Sequence, residues 1–350
     1  MRAVIYRGRG DIVVDEVPEP TCGPGEVKIR VGRNGICGTD LHEYYAGPIF
    51  IPTKPHPLTG VALPVILGHE FSGIVTEVGS GVEDLTVGSH VAIEPVYRCD
   101  QCPPCLAGTY NLCQNIAFHG LMARGGGMAE YTVVQSRMAH VLPESITPEL
   151  GALVEPMAVA YHASRLAEVE PGDSAVVFGA GPIGIGLWFA LRAHGLDDIT
   201  VVEPSAVRRD AIGALGATDV IDPTRIDPVA HVRSRTGGLG AGAVFDAAGV
   251  EASVSAGLGC IAARRPMISV AIYEQPLPVT LNALVMTEAM VRGSLGYTGE
   301  DYAAVIGLMA RGHYDATGWV THIPIDAVID EGFEALRAGR KTKVLVDPTG

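Results

Sequence analysis

The chain has 350 residues, of which 47% are hydrophobic and 18% are charged, and its formal net charge is −14. This length allows two domains whose cores are large enough to fold without a metal or disulfides to compensate for small size. The negative charge argues against a nucleic-acid or anionic-membrane partner, because both bind basic patches. Since Met1 leads directly into a strand-like pattern, we expect no targeting segment and a cytoplasmic protein.

The first 150 residues predict a β-rich domain. Short runs rich in β-branched residues are separated by glycine and proline, as is typical of strands and turns: RAVIYRG, IVVDEVP, EVKIRVG, FSGIVTEVG and HVAIEP. The C-terminal run EGFEALRAGRKTKVLVDPTG predicts a helix followed by a strand. We expect this tail to return to the first domain.

Four cysteines lie in one short loop with the spacing C-x2-C-x2-C-x7-C: Cys99, Cys102, Cys105 and Cys113. Thiolates are soft ligands that suit tetrahedral zinc, and a closed shell of four sulfurs is typical of a structural site. Two disulfides or a chance cluster are the alternatives, and disulfides are disfavoured because a long chain without a secretory signal does not need them. The spacing therefore predicts a structural zinc site.

After Pro171 the pattern changes to alternating strands and helices. Six apolar runs, most of them separated by helical stretches, predict a parallel sheet with crossover helices: AVVFGAG, ITVVEP, DVIDP, AVFDAAG, MISVAI and VRGSLGY. The uncharged run from Ser174 to Leu191 is long enough to resemble a membrane span. Its five glycine and proline residues favour a strand, a turn and a buried helix instead. We expect the domain boundaries near Glu155 and Gly293.

The first of these runs leads into a G-x-G-x-x-G motif formed by Gly179, Gly181 and Gly184. The motif stands after a predicted strand and, with the intervening Pro182 and Ile183, opens a predicted helix. Glycines allow a tight turn and the close approach of a pyrophosphate, whose charge the helix N-terminus stabilises. The context therefore predicts a dinucleotide site, with a plain turn as the alternative.

Glu203 ends the second run, nineteen residues beyond Gly184. An acidic side chain at this point accepts hydrogen bonds from the adenosine ribose and repels a 2′-phosphate, which favours NAD over NADP. Arg208 and Arg209 follow closely and leave NADP open, and we take Arg208 as a candidate cofactor contact. The alternative for Glu203 is a solvated charge at a strand end.

Three candidate ligands for a second metal lie outside the four-cysteine loop. Cys37 stands in GICGTDLHEY, His69 in ILGHE, and Glu155 at the predicted domain boundary. One thiolate, one imidazole and one carboxylate can hold zinc and leave a fourth position open, as catalytic sites require. Each residue alone is ambiguous, because a lone cysteine is usually a small buried hydrophobe and a lone histidine is more often structural.

With these motifs in this order, the chain resembles the zinc-dependent medium-chain alcohol/polyol dehydrogenases over nearly its whole length. The resemblance is carried by Cys37, the His69–Glu70 pair, the four-cysteine loop, Glu155, GAGPIG and the terminal KVLV strand. It implies an α/β fold with a β-rich GroES-like catalytic zinc domain, residues 1–155 and 294–350. It also implies a Rossmann NAD-binding domain with a six-stranded parallel sheet, residues 156–293. Two zinc ions per chain and a homodimer or homotetramer follow from the same resemblance.

The resemblance implies that Cys37, His69 and a glutamate bind the catalytic zinc. The glutamate is either Glu70 or Glu155, and the sequence leaves both open. These residues and the four-cysteine loop together account for both expected zinc ions.

The residues after Cys37 make chemical sense as a set. The resemblance implies that the Thr39 hydroxyl bonds the substrate oxygen and that His42 passes the proton to solvent, for which an ordinary pKa near about 6.5 is suitable. Asp40 could orient the zinc-bound histidine through its other ring nitrogen. Lys343, in KTKVLVDP, is a candidate contact to the cofactor pyrophosphate, with a solvated lysine as the alternative.

The segment CGTDLHEYYAGPIFIP and the following PHPLTG are most similar to the branch of this family that acts on 2,3-butanediol and acetoin. This implies NAD-dependent oxidation of a secondary alcohol or vicinal diol to a ketone by zinc-assisted hydride transfer. By position, Tyr45, Phe50 and Phe118 are candidate walls of the substrate pocket, although each is equally plausible as core. The alternatives are a sorbitol-like or threonine-like dehydrogenase and, less favoured, a non-catalytic protein that binds zinc and NAD.

Overall fold

In the computed structural model, residues 1–273 and 275–350 are described. The strands of these residues are β1 Arg2–Gly8, β2 Asp11–Glu16, β3 Glu26–Gly35, β4 Val65–Ile66, β5 Glu70–Val78, β6 His90–Ile93, β7 Val96–Tyr97, β8 Ala117–Phe118, β9 Tyr131–Gln135, β10 Ala139–Val141, β11 Ser174–Phe178, β12 Asp198–Val202, β13 Asp219–Ile221, β14 Ala243–Asp246, β15 Pro266–Ser269, β16 Met290–Gly293, β17 Val320–Pro324 and β18 Lys343–Asp347.

The α-helices of the same residues are α1 Gly38–Ala46, α2 Pro103–Leu106, α3 Pro148–Leu166, α4 Pro182–Ala193, α5 Ala206–Ala214, α6 Pro228–Arg235, α7 Glu251–Cys260, α8 Leu281–Thr287, α9 Gly299–Ala310 and α10 Glu334–Arg337. Short 3₁₀ helices span Tyr110–Leu112, Ser136–Met138 and Ile325–Ala327, and a π-helix spans Val328–Phe333.

The chain divides into two compact units. Unit 1 comprises Met1–Glu155, Thr298–Gly312 and Val320–Gly350, and unit 2 comprises Pro156–Tyr297 and His313–Trp319. The predicted domains differ from these units at residues 294–297 and 313–319, which belong to unit 2. The second difference has a simple packing reason, because the Tyr314 ring lies against the Phe189 ring of α4 with 5.0 Å between centroids.

Unit 1 contains a seven-stranded sheet in the order β10-β6-β5-β3-β18-β17, with β9 also paired to β3. Strand β3 forms its centre because its alternating Val27, Ile29 and Val31 are fully buried. The C-terminal strand β18 pairs antiparallel with β3, so the tail returns to unit 1 beside the residues that precede Cys37. The two smaller sheets are β2-β1-β4 and β7-β8.

Unit 2 contains a six-stranded sheet in the order β13-β12-β11-β14-β15-β16, and every pairing in it is parallel. The six-stranded parallel sheet predicted from the apolar runs is therefore confirmed. The central strands β11 and β14 are buried almost throughout, as expected when helices cover both faces. The strand order reverses between β11 and β14, and ligands of such sheets bind at the carboxyl ends of the strands at this switch point.

The uncharged run 174–191 forms β11, the glycine turn and the first part of α4. Residues Gly184–Leu191 of α4 are all buried. Across residues 1–273 and 275–350, no helix has both the length and the apolar character needed to cross a bilayer.

Candidate metal centres and dinucleotide site

Cys37 is the N-cap residue of α1 and is separated from the end of β3 by Ile36 alone. Its backbone N–H donates to the Asp40 carboxylate at 3.0 Å, which closes the first turn of the helix. Its Sγ lies 3.6 Å from the Thr39 hydroxyl oxygen. The thiol and this hydroxyl are therefore neighbours at the start of α1, and the half-buried His42 follows on the same helix.

The ligand atoms of Cys37, His69 and Glu70 all lie within 4.8 Å of one another. Glu70 begins β5 and is paired in register with Gly35 of β3, which brings the His69–Glu70 pair beside the end of β3. His69 is 4% exposed and Glu70 is 1% exposed. A thiol, an imidazole and a carboxylate that converge in a buried place form a donor set suited to zinc.

The pKa shifts of Cys37 and His69 also fit a bound cation. Burial raises the pKa of the Cys37 thiol, and the Glu70 charge raises it further, while His69 lowers it. Burial by itself would lower the pKa of His69, but the charges of Asp40 and Cys37 outweigh it and raise this pKa well above its ordinary value. A bound divalent cation would supply positive charge among these acidic groups and favour the thiolate, so the residues fit a zinc ion.

Asp40 is fully buried behind the histidine. Its Oδ1 lies 3.6 Å from His69 Nδ1, too far for a good hydrogen bond, and both atoms otherwise have no partner among the described residues. Burial raises the pKa of Asp40 to about 6, although the histidine charge opposes the rise. A short adjustment of the ring would complete the carboxylate–histidine contact that commonly orients a metal-bound imidazole.

The two candidate glutamates have different surroundings. Glu70 forms an ion pair with Lys343, whose ammonium also donates to the Ile36 carbonyl at 2.9 Å. Glu155, on α3, is 5% exposed and lies outside the group of three, although its charge acts on His69. Lys343 is 1% exposed, and sequence reasoning missed its contact with Glu70. Its predicted contact to a cofactor stays a prediction.

The four cysteines of the loop form a second ligand group. They are free thiols, and their Sγ atoms lie within 4.8 Å of one another. The sulfur of Cys99 is 3.5 Å from that of Cys113 and 4.0 Å from that of Cys105, far beyond a disulfide of about 2.05 Å. Zinc–sulfur bonds of about 2.3 Å in a tetrahedron give sulfur–sulfur edges of about 3.8 Å, so this spacing fits zinc.

The pKa values within the loop also differ from one thiol to the next. Backbone N–H groups of Gln114 and Cys105 lower the pKa of Cys102 to about 6, and burial raises the pKa of Cys105 to about 12. The first shift favours the thiolate, which is the form that binds a metal.

The predicted glycine motif connects β11 to α4. Gly179 has a φ of +97°, which only glycine adopts readily, and a Cβ on Gly184 would overlap the Gly179 carbonyl oxygen. A Cβ on Gly181 would meet nothing within 4 Å, so the turn is open at this residue. Pro182 and Ile183 begin α4, whose N-terminus favours an anion. The three glycines thus have the environments that a pyrophosphate-binding turn requires.

Glu203 follows β12 and is 3% exposed, which excludes the alternative of a solvated charge. Its Oε2 accepts the N–H of Ala180 and its Oε1 accepts that of Ser205, each at 2.8 Å. Its carboxylate therefore ties the end of β12 to the glycine turn, a contact that sequence reasoning missed. Arg208 lies on α5 with its Nη1 4.0 Å from Glu203 Oε2.

The three candidate pocket walls have different surroundings. Phe118 is partly buried and packs against the apolar core of unit 1. The Arg337 guanidinium lies over the Tyr45 ring at 3.8 Å from its centroid. Phe50 is 37% exposed, and its backbone N–H donates to the buried Glu43 carboxylate.

Two segments of the chain match families of known proteins. Residues 23–144 match the alcohol dehydrogenase GroES-like domain, and residues 182–311 match the zinc-binding dehydrogenases. Together with relatives that match over the full length, these matches show that the chain belongs to the zinc-binding alcohol dehydrogenases, with a GroES-like and a Rossmann fold.

Two curated relatives and one solved structure are particularly similar. The chain is 42% identical to (R,R)-butanediol dehydrogenase of Bacillus subtilis (strain 168) over 351 residues, which covers 99% of this chain and 100% of the relative. It is 37% identical to the (R,R)-butanediol dehydrogenase of Neisseria gonorrhoeae, with 99% of each chain covered. The crystal structure of 2R,3R-butanediol dehydrogenase from Bacillus subtilis superposes with a TM-score of 0.93 at 41% identity, again covering 99% of each chain.

Proposed function

We propose that this protein is an NAD-dependent oxidoreductase that interconverts a vicinal diol of the 2,3-butanediol type and a hydroxyketone such as acetoin. The observation that carries the proposal is the buried group of Cys37, His69 and Glu70 beside the Thr39 hydroxyl. It occurs in a chain 42% identical over its full length to a butanediol dehydrogenase. The substrate is thus a small alcohol or diol.

A zinc ion held by Cys37, His69 and a glutamate would act as a Lewis acid on the substrate oxygen and lower the pKa of the bound hydroxyl. Thr39 and His42 then transfer the proton of the substrate hydroxyl. The Thr39 hydroxyl, 3.6 Å from Cys37 Sγ, accepts the hydrogen bond of the substrate hydroxyl. His42 lies three residues further along α1, on the same face as Thr39, and carries the proton toward solvent.

Either glutamate completes the ligand set. Glu70 lies within 4.8 Å of the other two donors but shares its charge with Lys343, whereas Glu155 lies at the end of unit 1 on α3. Loss of one zinc in only one of the variants Glu70→Gln and Glu155→Gln would identify the ligand that binds at rest. The four-cysteine loop would hold the other zinc and perform no chemistry, because four protein ligands close its shell.

The cofactor preference rests on Glu203. A buried carboxylate beside the glycine turn accepts hydrogen bonds from ribose hydroxyls and repels a phosphate at the same place. Arg208 is close enough to offset part of this repulsion, so the comparison of NAD with NADP belongs to the test.

A homodimer or homotetramer is the proposed assembly, and pairing of the sheets of unit 2 is the proposed contact. Strand β16 is an edge strand that is exposed along its whole length. Leu281, Val285 and Met286 on the neighbouring α8 are 67%, 71% and 82% exposed. Such an edge with apolar surroundings favours association with another chain. The cytoplasmic location stays a prediction.

The test is NADH formation, followed by absorbance, across butanediol stereoisomers, sorbitol, threonine and ethanol, with NAD and NADP compared for each. We expect the highest kcat/KM for a butanediol isomer with NAD. A higher kcat/KM for sorbitol or threonine would replace the proposed substrate. No turnover from protein that carries two zinc ions would support the non-catalytic alternative.

A further inference from the structure

Asp246 is a fully buried carboxylate that belongs to the apolar run AVFDAAG but to none of the candidate sites above. It is the last residue of β14, and its exposure is 0%. Its Oδ1 accepts the backbone N–H groups of Ala248 and Gly249 at 3.0 and 3.2 Å. No arginine or lysine of the described residues forms an ion pair with it. Burying a carboxylate is expensive unless hydrogen bonds replace its hydration, so these bonds fix both the side chain and the loop that follows β14.

Tyr273 supplies the third hydrogen bond to this carboxylate. It lies in the segment after β15, and its hydroxyl donates to Asp246 Oδ2 at 2.6 Å. Because its one proton is used in this way, the nearby Ser269 hydroxyl, at 2.8 Å, must donate to the Tyr273 oxygen. Burial and the bond to Asp246 raise the pKa of Tyr273 to about 12, so the phenol keeps its proton. Asp246 and Tyr273 therefore join the loop after β14 to the loop after β15.

The two joined loops also meet through their backbones. Gly249 has a φ of +70°, and a Cβ there would lie 3.0 Å from Ala271 Cβ and 3.3 Å from the Ile272 carbonyl oxygen. The backbone N–H groups of Val270 and Ala271 donate to the Asp246 carbonyl at 3.0 and 3.1 Å. The contact between the loops is thus continuous, and the side-chain pair closes it.

This pair adjoins the dinucleotide turn. Asp246 is in register with Phe178, the residue before Gly179, and the Ala247 N–H donates to the Phe178 carbonyl at 2.9 Å. A Cβ on Gly179 would lie 3.2 Å from the Ala247 carbonyl group. Strands β11 and β14 flank the switch point, so the loops held by Asp246 and Tyr273 line the crevice on the side opposite Glu203.

We propose that Asp246 and Tyr273 are positioning residues for the nicotinamide half of the cofactor. The inference rests on the proposed NAD site and deepens it. A dinucleotide fold is made of two mononucleotide-binding halves, and the glycine turn and Glu203 serve the adenosine half. The loops after β14 and β15 belong to the other half. By holding them together, the pair shapes the place for the nicotinamide ring and its ribose.

The experiment compares two ligands that differ in this half. NADH carries nicotinamide and ADP-ribose does not, so we measure the dissociation constants of both for the holoenzyme, by nucleotide fluorescence and by calorimetry. Tyr273→Phe keeps the ring and removes the hydroxyl, which donates to the Asp246 carboxylate and accepts from the Ser269 hydroxyl. We expect the affinity for NADH to fall about tenfold while the affinity for ADP-ribose changes less than about twofold. The KM for NAD should rise, and the KM for the diol should stay near its wild-type value.

Tyr161→Phe is the matched control, because it removes a hydroxyl from a tyrosine of unit 2 whose ring stacks on His194. It should bind both ligands as the wild type does. If Tyr273→Phe fails to fold, Asp246→Asn replaces it, since its amide oxygen still accepts the two backbone N–H groups but its NH₂ cannot accept from Tyr273.

Three results would overturn the inference. Equal losses for NADH and ADP-ribose with a lower melting temperature would mean that the pair only stabilises unit 2. Unchanged binding of both ligands would mean that the loops need no such link. Wild-type enzyme that binds neither ligand would refute the proposed cofactor site itself, and the inference with it.

Discussion

Three single variants, each of which adds one methyl group at a glycine of unit 2, distinguish an effect on folding from an effect on cofactor binding. Gly184→Ala puts a Cβ into the Gly179 carbonyl oxygen, which is backbone and cannot move without opening the turn. Overpacking of this kind costs about 1–3 kcal/mol or more. In a domain of the size of unit 2, about 1 kcal/mol shifts the melting temperature by about 2–4 °C, so we expect a loss of several degrees.

Gly181→Ala has a different expected result. Its Cβ meets nothing within 4 Å and its φ is −71°, which alanine adopts without strain, so the melting temperature should stay within about 2 °C of the wild type. The methyl group would occupy the open side of the turn, where the pyrophosphate must approach the backbone. The affinity for NADH should therefore fall about tenfold or more.

Gly213→Ala is the control for the added methyl group itself. Gly213 is exposed on α5 with nothing within 4 Å of its Cβ position. Alanine at this point should stabilise the helix by up to about 1 kcal/mol and leave NADH binding unchanged. Calorimetric melting and NADH fluorescence measure all three variants. Wild-type affinity in Gly181→Ala, or wild-type stability in Gly184→Ala, would refute the roles argued for this turn.

Three more predictions concern unit 1. Cys37→Ser should abolish turnover, reduce zinc from two ions to one by metal analysis, and leave NADH binding intact; full activity would refute the catalytic assignment. Cys105→Ser should also lose one zinc, but its melting temperature should fall first, with turnover per folded molecule nearly retained. Burial lowers the pKa of His119 to about 3, so it stays neutral in the native state while the unfolded chain gains its proton below about pH 6.5. Stability should therefore fall as pH drops from about 6.5 toward 3, by up to about 5 kcal/mol, and urea unfolding of His119→Gln should show a weaker dependence in this range.

The parts of the fold that could be predicted are those that local pattern encodes. The parallel sheet of unit 2 appeared as apolar runs because its central strands are buried on both faces and therefore consist almost entirely of apolar residues. The glycine motif was recognisable for a similar reason, since the positive φ of Gly179 and the contact of Gly184 with the Gly179 carbonyl both arise within the turn. The four cysteines lie within fifteen residues, and their spacing alone indicated a common ligand group.

Long-range contacts could not be predicted from the sequence because they depend on strand register. Lys343 meets Glu70 only because β18 and β5 both pair with β3 near Gly35, at positions more than 270 residues apart in the chain. Neither residue has neighbours in sequence that indicate the ion pair. Residues 313–319 likewise belong to unit 2 through contacts distant in sequence, one of which joins the Tyr314 and Phe189 rings.

Buried carboxylates of this chain differ in their surroundings. This difference explains why some of them could be recognised from the sequence and others could not. Glu70 lies among the donor atoms of the candidate metal group, and it was recognised because it belongs to the short His69–Glu70 motif. Asp246 is held by two backbone N–H groups and one phenol, and backbone donors leave no trace in a sequence. Its only signal was an acidic residue at the end of an otherwise apolar run, AVFD, where the fold needs no charge. A charge retained at the carboxyl end of a central parallel strand, where burial disfavours it, indicates a residue that fixes the loops of the binding crevice.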